Sequence, residues 1–135
     1  MDSTEIEVVT GTDRLTDLSA IVGAWLRDVG AGDGLVHVFA PHATAGLALI
    51  ELGAGSDADL SATIDTLLPR DDRWRHRHGS AGHGADHVLP AFIAPSLVLP
   101  VIGGQLALGI WQSVVLVDTN ADNPRRTIRL SFLAG

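Results

Sequence analysis

The sequence contains no cysteine. Disulfide bonds, thiolate zinc sites and a cysteine nucleophile are therefore excluded, and any metal ion has to be held by histidine, aspartate or glutamate. Long apolar runs are also absent: the most apolar stretch, Ala91 to Ile102, contains two prolines and is shorter than the roughly 18 residues that a membrane-spanning helix needs. The N-terminus lacks the basic and apolar regions of a signal peptide. We expect a cytoplasmic protein without a membrane partner.

Positive charge is scarce as well. Nine arginine and lysine residues stand against 16 acidic ones, which gives a net charge of −7. This balance argues against nucleic acid as a partner, because binding to a phosphate backbone needs a basic face. A local arginine cluster can still bind a small anion. The 135 residues, 46% of them apolar, fit one domain that spans residues 1–135.

Apolar periodicity predicts two to three helices. The clearest one carries a single stripe at helical spacing and ends before Gly30; its members are Leu18, Ile21, Val22, Trp25, Leu26 and Val29. A second, shorter helix follows Ser56, where the spacing Ser56-x-x-Asp59 predicts a capping box. One or two further helical turns are expected between Ala85 and Phe92.

The remaining apolar segments read as strands. They cover residues 4–10, 35–40, 45–50, 96–101, 105–108, 111–118 and 127–133. Gly103-Gly104 predicts a hairpin turn between two of these strands. The sequence therefore indicates an α+β fold, a single compact domain with a mainly antiparallel or mixed β-sheet.

Histidines are concentrated in the polar segment from Arg70 onwards. Alternate spacing places His76 and His78 on one side of an extended chain, and His83 and His87 are four residues apart, as on one helix face. Such pairs can hold a metal, although they lack the glutamate of the zinc-protease helix. The alternative is a solvated loop with a chance excess of histidine.

Other candidates each have a functional and a structural interpretation. His42 and Thr44 lie between two predicted strands, where they face one cleft or merely form a turn. Glu51 ends an apolar run and is either a desolvated carboxylate or an ordinary surface charge. Arg125 and its neighbour Arg126 either clamp a phosphate or a carboxylate or are solvated. For Trp111 we expect a core position, and for His37, which lies within a strand, a core or sheet-face position.

Four segments resemble the YjbQ-like family, whose members are described as secondary thiamine-phosphate synthases. His42–Glu51 matches a histidine-to-glutamate signature of the same length. Trp74, His76 and His87 match an aromatic-x-His followed eleven residues later by histidine, and His87–Ser96 continues that match. The other two segments, Gly104–Gln112 and Asn123–Arg126, match a Gly-to-Trp-Gln run and a Gly-Pro-Arg-Arg turn. Ile50 and Ile110 depart from the family, which has asparagine and threonine there.

The resemblance implies a homotrimer with a histidine-centred pocket. Its catalytic residues would be His42, Glu51, His76 and His87. Substrate or anion binding would fall to Thr44, Trp111, Gln112 and Arg125. Zinc would be held by His42, His76 and His87, or these histidines would instead transfer protons near neutral pH. On chemical grounds magnesium is a further option, with Asp57 or Glu51 as a ligand.

The implied reaction joins a pyrimidine-methyl diphosphate to a thiazole phosphate and releases diphosphate. Cationic groups must then stabilise the leaving oxygens. Two other classes stay open. One is a metal-assisted hydrolase of a small phosphorylated or acyl substrate; the other is a non-catalytic trimer that binds an anion or a metal.

Overall fold

Residues 1–135 are described by a computed structural model, in which eight strands form two antiparallel sheets. The five-stranded sheet has the order β1-β8-β3-β5-β6, and the three-stranded sheet has the order β2-β7-β4. The strands are β1 Asp2–Val9, β2 Leu15–Asp17, β3 Gly34–Phe39, β4 Ala45–Ile50, β5 Ser96–Ile102, β6 Gln105–Leu106, β7 Ser113–Asp118 and β8 Arg125–Ala134. The predicted α+β fold is confirmed, and both sheets are wholly antiparallel.

Two helices of ordinary length and two single turns complete the fold. They are α1 Ser19–Asp28, α2 Ser56–Leu67, α3 His83–Asp86 and α4 Leu89–Phe92. The apolar stripe correctly predicted α1, whose Val22 and Leu26 are fully buried. The longest helix has 12 residues, so none of them has the length and apolar character needed to span a membrane.

Strand β7 lies between two apolar cores. Val114 and Leu116 belong to the larger core with the five-stranded sheet and α1, whereas Val115 and Val117 belong to the smaller core with α2 and α4. Successive side chains of a strand point to opposite faces, so a run of apolar residues is required wherever both faces are covered. The three-stranded sheet is therefore the middle layer. Its central strand, β7, ends at the buried residue Asp118.

Two local predictions were wrong. The capping box does not form, because Gly55 occupies the cap position at a φ of 101° and Ser56 is already the first helical residue. Trp111 is 69% exposed instead of buried in the core. The strand that was expected to include it starts only at Ser113, since the preceding residues form a turn in which the Gln112 side chain accepts a hydrogen bond from the Gly109 N–H.

Candidate functional site

Four imidazole rings meet beside α3 and form what we call the histidine cluster: His76, His78, His83 and His87. The ring centre of His76 lies 3.9 Å from those of both His78 and His87. The Nε2 atoms of His83 and His87 are 3.0 Å apart. Three of the rings, those of His76, His83 and His87, each offer a nitrogen within 4.8 Å of the other two. That geometry is close enough for one metal ion to bind all three.

Local sequence brings these rings together in two steps. His83 opens α3 and His87 ends it, so one helical turn aligns them. His76 arrives on the preceding loop, which packs tightly against α3: a Cβ on Gly84 would lie 2.3 Å from Trp74 Cβ. A Cβ on Gly82, whose φ is 76°, would lie 2.7 Å from backbone atoms of Arg70. Glycine at these two positions therefore permits the close approach of the loop.

A fully buried carboxylate stands behind His83. Asp86 is 0% exposed, and its Oδ1 accepts hydrogen bonds from the Arg70 guanidinium and from the Thr119 hydroxyl. Its Oδ2 lies 3.3 Å from Nδ1 of His83. A second carboxylate, Asp122, has its Oδ2 3.4 Å from the same nitrogen, but this oxygen also accepts the backbone N–H of Ser80.

Three buried polar atoms of this region have no hydrogen-bond partner in the protein: His76 Nε2, His83 Nδ1 and Asp86 Oδ2. Most buried polar atoms in proteins are paired, so a group of unpaired ones at one place calls for an explanation. Burial lowers the pKa of His76 and of His87 below the ordinary 6.5, and the neighbouring imidazoles lower both further. Both rings are therefore neutral at pH 7, the form that binds metals.

A cavity of about 300 Å³ adjoins the histidine cluster. His76 and His83 form part of its wall, and Arg70, Arg77 and Ser80 form another part. The guanidinium groups of Arg70 and Arg77 suit an anionic ligand such as a phosphate, and Asp71, which also lines the cavity, is paired with Arg73.

His42 lies apart from this cluster. Its Nε2 is 3.0 Å from both the backbone nitrogen and the backbone oxygen of Thr127. The pairing of β3 with β8 ends at Phe39 and Arg129, and Thr127 lies two residues further along β8. The antiparallel register places Thr127 opposite Pro41, two residues past the end of β3, so the imidazole contacts backbone groups that Pro41, which has no N–H, cannot fully pair. Burial lowers the pKa of His42, although its hydrogen bond to Thr127 opposes the shift.

In the structure, the third histidine near His76 and His87 is His83 and not His42. Sequence reasoning noted its helical spacing from His87 but did not include it among the ligands. That spacing was the signal that pointed to it. Of the proposed metal-binding histidines, the single chain brings together His76 and His87 and leaves His42 elsewhere.

Thr44 belongs to a second buried group, the arginine cluster: Thr44, Asp118, Asn120 and Arg126. Arg126 donates to both carboxylate oxygens of Asp118 and, over 3.2 Å, to the Thr44 hydroxyl. The backbone N–H of Asn120 donates to Asp118 at 3.0 Å, and the Asn120 side chain donates to Thr44 at 3.4 Å. Thr44 therefore holds an interior arginine.

The other predicted site residues also lie outside the cavity. Arg125 is exposed and pairs with Glu7 at 2.7 Å. Glu51 is half-buried at the end of β4, and Gln112 bonds within its own turn. Neither these residues nor Trp111 line the cavity beside the histidine cluster.

Comparison with known proteins assigns the chain to a family. The family model described as "UPF0047 protein YjbQ-like" matches residues 4–135. The chain belongs to the UPF0047 family of YjbQ-like proteins. It is 60% identical over 135 residues to the UPF0047 protein Rv2556c of Mycobacterium tuberculosis, and the match covers 100% of both chains.

Solved structures of the same kind support the fold. The hypothetical protein APE1520 of Aeropyrum pernix K1 is 32% identical with a TM-score of 0.88, and the match covers 100% of both chains. The conserved hypothetical protein TT1486 of Thermus thermophilus is 31% identical with a TM-score of 0.81, over 96% of this chain and 99% of that one. These names state no activity, so the function has to be argued from the site.

Proposed function

We propose that the histidine cluster binds a divalent transition metal, zinc above all, and that the protein uses it on a small phosphorylated substrate in the adjoining cavity. The observation that carries this proposal is the convergence of His76, His83 and His87, whose ring nitrogens lie within 4.8 Å of one another. Three histidine ligands with one open position are a common ligand set of catalytic zinc.

The donor set fits zinc better than magnesium. All three donors are nitrogen atoms, whereas magnesium prefers oxygen ligands and retains water. Zinc–nitrogen bonds of about 2.0–2.1 Å in a tetrahedral site place two ligand nitrogens roughly 3.3 Å apart. The 3.0 Å between the Nε2 atoms of His83 and His87 needs only a small adjustment. Asp57 and Glu51, the earlier magnesium candidates, do not belong to this set.

The protein's own groups would bind and orient the substrate. Arg77 and Arg70 line the cavity and supply positive charge for phosphate oxygens, against two carboxylates, Asp71 and Asp72, that also line it. Arg70 also donates to Asp86, so its guanidinium is held in place behind the cluster. A bound zinc ion would supply a Lewis acid that stabilises negative charge as it develops on a leaving group.

The family resemblance makes the substrate class more specific. In the secondary thiamine-phosphate synthase reaction, diphosphate leaves the pyrimidine-methyl group while the thiazole nitrogen bonds to it. Positive groups facing the departing oxygens lower the barrier of such a step. The two arginines of the cavity and a metal ion would meet this requirement, and we propose the reaction on that basis.

Metal analysis of the purified protein tests the first part of the proposal. We expect about one zinc per chain in the natural protein. The control is His37→Ala, which should also bind one zinc, because the His37 ring is bonded to Ser96 and is not part of the cluster. We expect none in His83→Ala or His87→Ala. A wild-type protein that binds no zinc even after incubation with the metal would refute the metal site.

An assay with the two thiamine precursors tests the second part. The zinc-loaded protein should form thiamine phosphate, and His87→Ala should not. Stoichiometric zinc without product would reject the synthase reaction and retain the metal site.

We also propose the homotrimer and the cytoplasmic location that the resemblance and the composition imply. Light scattering on the eluting protein should give three times the chain mass of 14.1 kDa. Fractionation of cells should recover the protein with the cytoplasm. A monomeric mass would reject the trimer.

A further inference from the structure

We infer that Asp86 is a positioning residue whose carboxylate accepts the Nδ1 proton of His83 and thereby turns the lone pair of His83 Nε2 towards the metal. The inference rests on the proposed metal site, and it concerns a residue that contacts a metal ligand but is not itself a ligand. No motif in the sequence pointed to it.

The first support is the state of the two facing atoms. Oδ2 of Asp86 and Nδ1 of His83 are both buried, neither has a hydrogen-bond partner, and they lie 3.3 Å apart. A slight rotation of the imidazole turns this contact into a hydrogen bond. That bond would satisfy both atoms at once, which a buried donor and acceptor require.

The second support is the way Asp86 is held. Its other oxygen, Oδ1, accepts the Arg70 guanidinium and the Thr119 hydroxyl, the latter at 2.6 Å. Arg70 also donates to the Thr119 carbonyl at 3.3 Å. Thr119 directly follows β7, the central strand of the buried sheet. The carboxylate is therefore anchored to the rigid part of the fold, with Oδ2 left free for His83.

The third support comes from the proton balance of the ring. A neutral imidazole carries one N–H, so fixing the proton at Nδ1 leaves Nε2 as a lone pair. That Nε2 lies 3.0 Å from Nε2 of His87, another of the proposed ligands. Carboxylates in this outer position commonly fix the tautomer of metal-binding histidines, and their loss weakens metal binding by about 10- to 100-fold.

Asp122 provides a matched comparison. Its carboxylate lies at nearly the same distance from His83 Nδ1, 3.4 Å, but its side chain is 37% exposed. The Oδ2 atom that faces the ring already accepts the Ser80 N–H at 3.0 Å. Water therefore competes for Asp122, and its oxygen has another partner. We assign the positioning role to Asp86 and use Asp122→Asn as the control.

The test measures zinc affinity, by competition with a chromophoric chelator, and the visible spectrum of the cobalt-substituted protein. We expect Asp86→Asn to bind zinc about 10- to 100-fold more weakly and to change the cobalt spectrum. Asp122→Asn should stay within about twofold of the natural protein, and His83→Ala should lose stoichiometric binding. Natural affinity and spectrum in Asp86→Asn would overturn the positioning role and leave the metal site intact.

A second measurement separates this inference from the metal site and from misfolding. Long-range nitrogen–proton NMR spectra of the metal-free natural protein report which ring nitrogen of His83 carries the proton. We expect Nδ1–H; a ring protonated at Nε2 would overturn the inference even if zinc binds. Thr119→Val retains the carboxylate and removes one of its anchors, so it should weaken zinc binding less than Asp86→Asn does. An unchanged affinity in Thr119→Val would contradict the anchoring.

Discussion

Two buried polar groups lie next to each other, since Asp118 of the arginine cluster is followed in the chain by Thr119, which donates to Asp86 behind the histidine cluster, yet their hydrogen bonding differs. In the arginine cluster each buried side chain bonds to another member, so the group is closed within the protein. Beside it, His83 Nδ1 and Asp86 Oδ2 have no hydrogen bond but face each other at 3.3 Å, so His76 Nε2 is the buried atom that no protein group is placed to meet.

This difference separates architecture from function. A closed buried network stabilises one arrangement of the chain, and nothing in it requires a ligand. Unpaired buried nitrogens and oxygens are unfavourable unless another group meets them. The sequence made both regions candidates, through Thr44 and the arginine pair that includes Arg126 in one case and through His76 and His87 in the other. The two regions differ in whether their buried polar atoms have hydrogen-bond partners in the protein.

We expect the largest effect, on the free energy of unfolding, from a substitution within the arginine cluster. Asp118→Ala leaves the buried charge of Arg126 without its carboxylate, and we expect a loss of about 3–5 kcal/mol in the free energy of unfolding. Urea titration measures it. The control is Glu7→Gln, which removes the carboxylate from the exposed pair with Arg125 and should cost less than about 1 kcal/mol. Equal losses in the two variants would contradict the comparison.

The second effect is the stabilisation that zinc gives when it binds to the histidine cluster. Zinc at about 100 times its dissociation constant should stabilise the natural protein by about 2.7 kcal/mol through selective binding to the folded state. A chelator should reverse the gain. His87→Ala should show no gain, whereas the closed-cluster variant Thr44→Ser should retain it. Zinc stabilisation of His87→Ala equal to that of the natural protein would contradict the assignment.

The third effect concerns the glycine contact that brings His76 to the cluster. Gly84→Ala would place its Cβ 2.3 Å from Trp74 Cβ and 2.7 Å from the His76 carbonyl oxygen. We expect a loss of about 1–3 kcal/mol from overpacking, with weaker zinc binding. Gly32→Ala is the control, since a Cβ there meets nothing within 4 Å. Unchanged zinc affinity in Gly84→Ala would show that this contact does not position His76.

The smallest effect is a pH dependence. Burial lowers the folded-state pKa values of His76 and His87 below 6.5. The unfolded chain therefore takes up protons first on acidification, and metal-free stability should fall as the pH drops from about 6.5 towards those lowered values. Above pH 7 these two rings should contribute no slope.

Unfolding at a series of pH values checks this dependence. The double substitution of His76 and His87 by glutamine should flatten the part of the curve below about pH 6.5. His42, whose pKa burial also lowers, accounts for part of the remaining slope. A curve that the double variant leaves unaltered would show that the two rings are not desolvated.

Local patterns accounted for much of the fold. The apolar stripe of α1, the strand Ala45–Ile50 and the hairpin turn at Gly103-Gly104 all follow from neighbours in sequence, and the structure confirms them. Strand β2 was missed, because three residues are too few to show a period. Arg125 and Arg126 were not told apart, since the pairing of β8 decides which of them faces the interior.

The sequence by itself determined that any metal here meets imidazole or carboxylate ligands, and that His76 and His78, and His83 and His87, form local pairs. Tertiary structure alone decided that these pairs converge and that the His42 ring contacts the backbone of Thr127 in β8. It also decided that Asp86 lies beside His83 and is bonded to Arg70 and Thr119. The physical reason is distance along the chain. Spacing controls the contacts within one turn or strand, whereas desolvation and pairing depend on segments that only packing brings together.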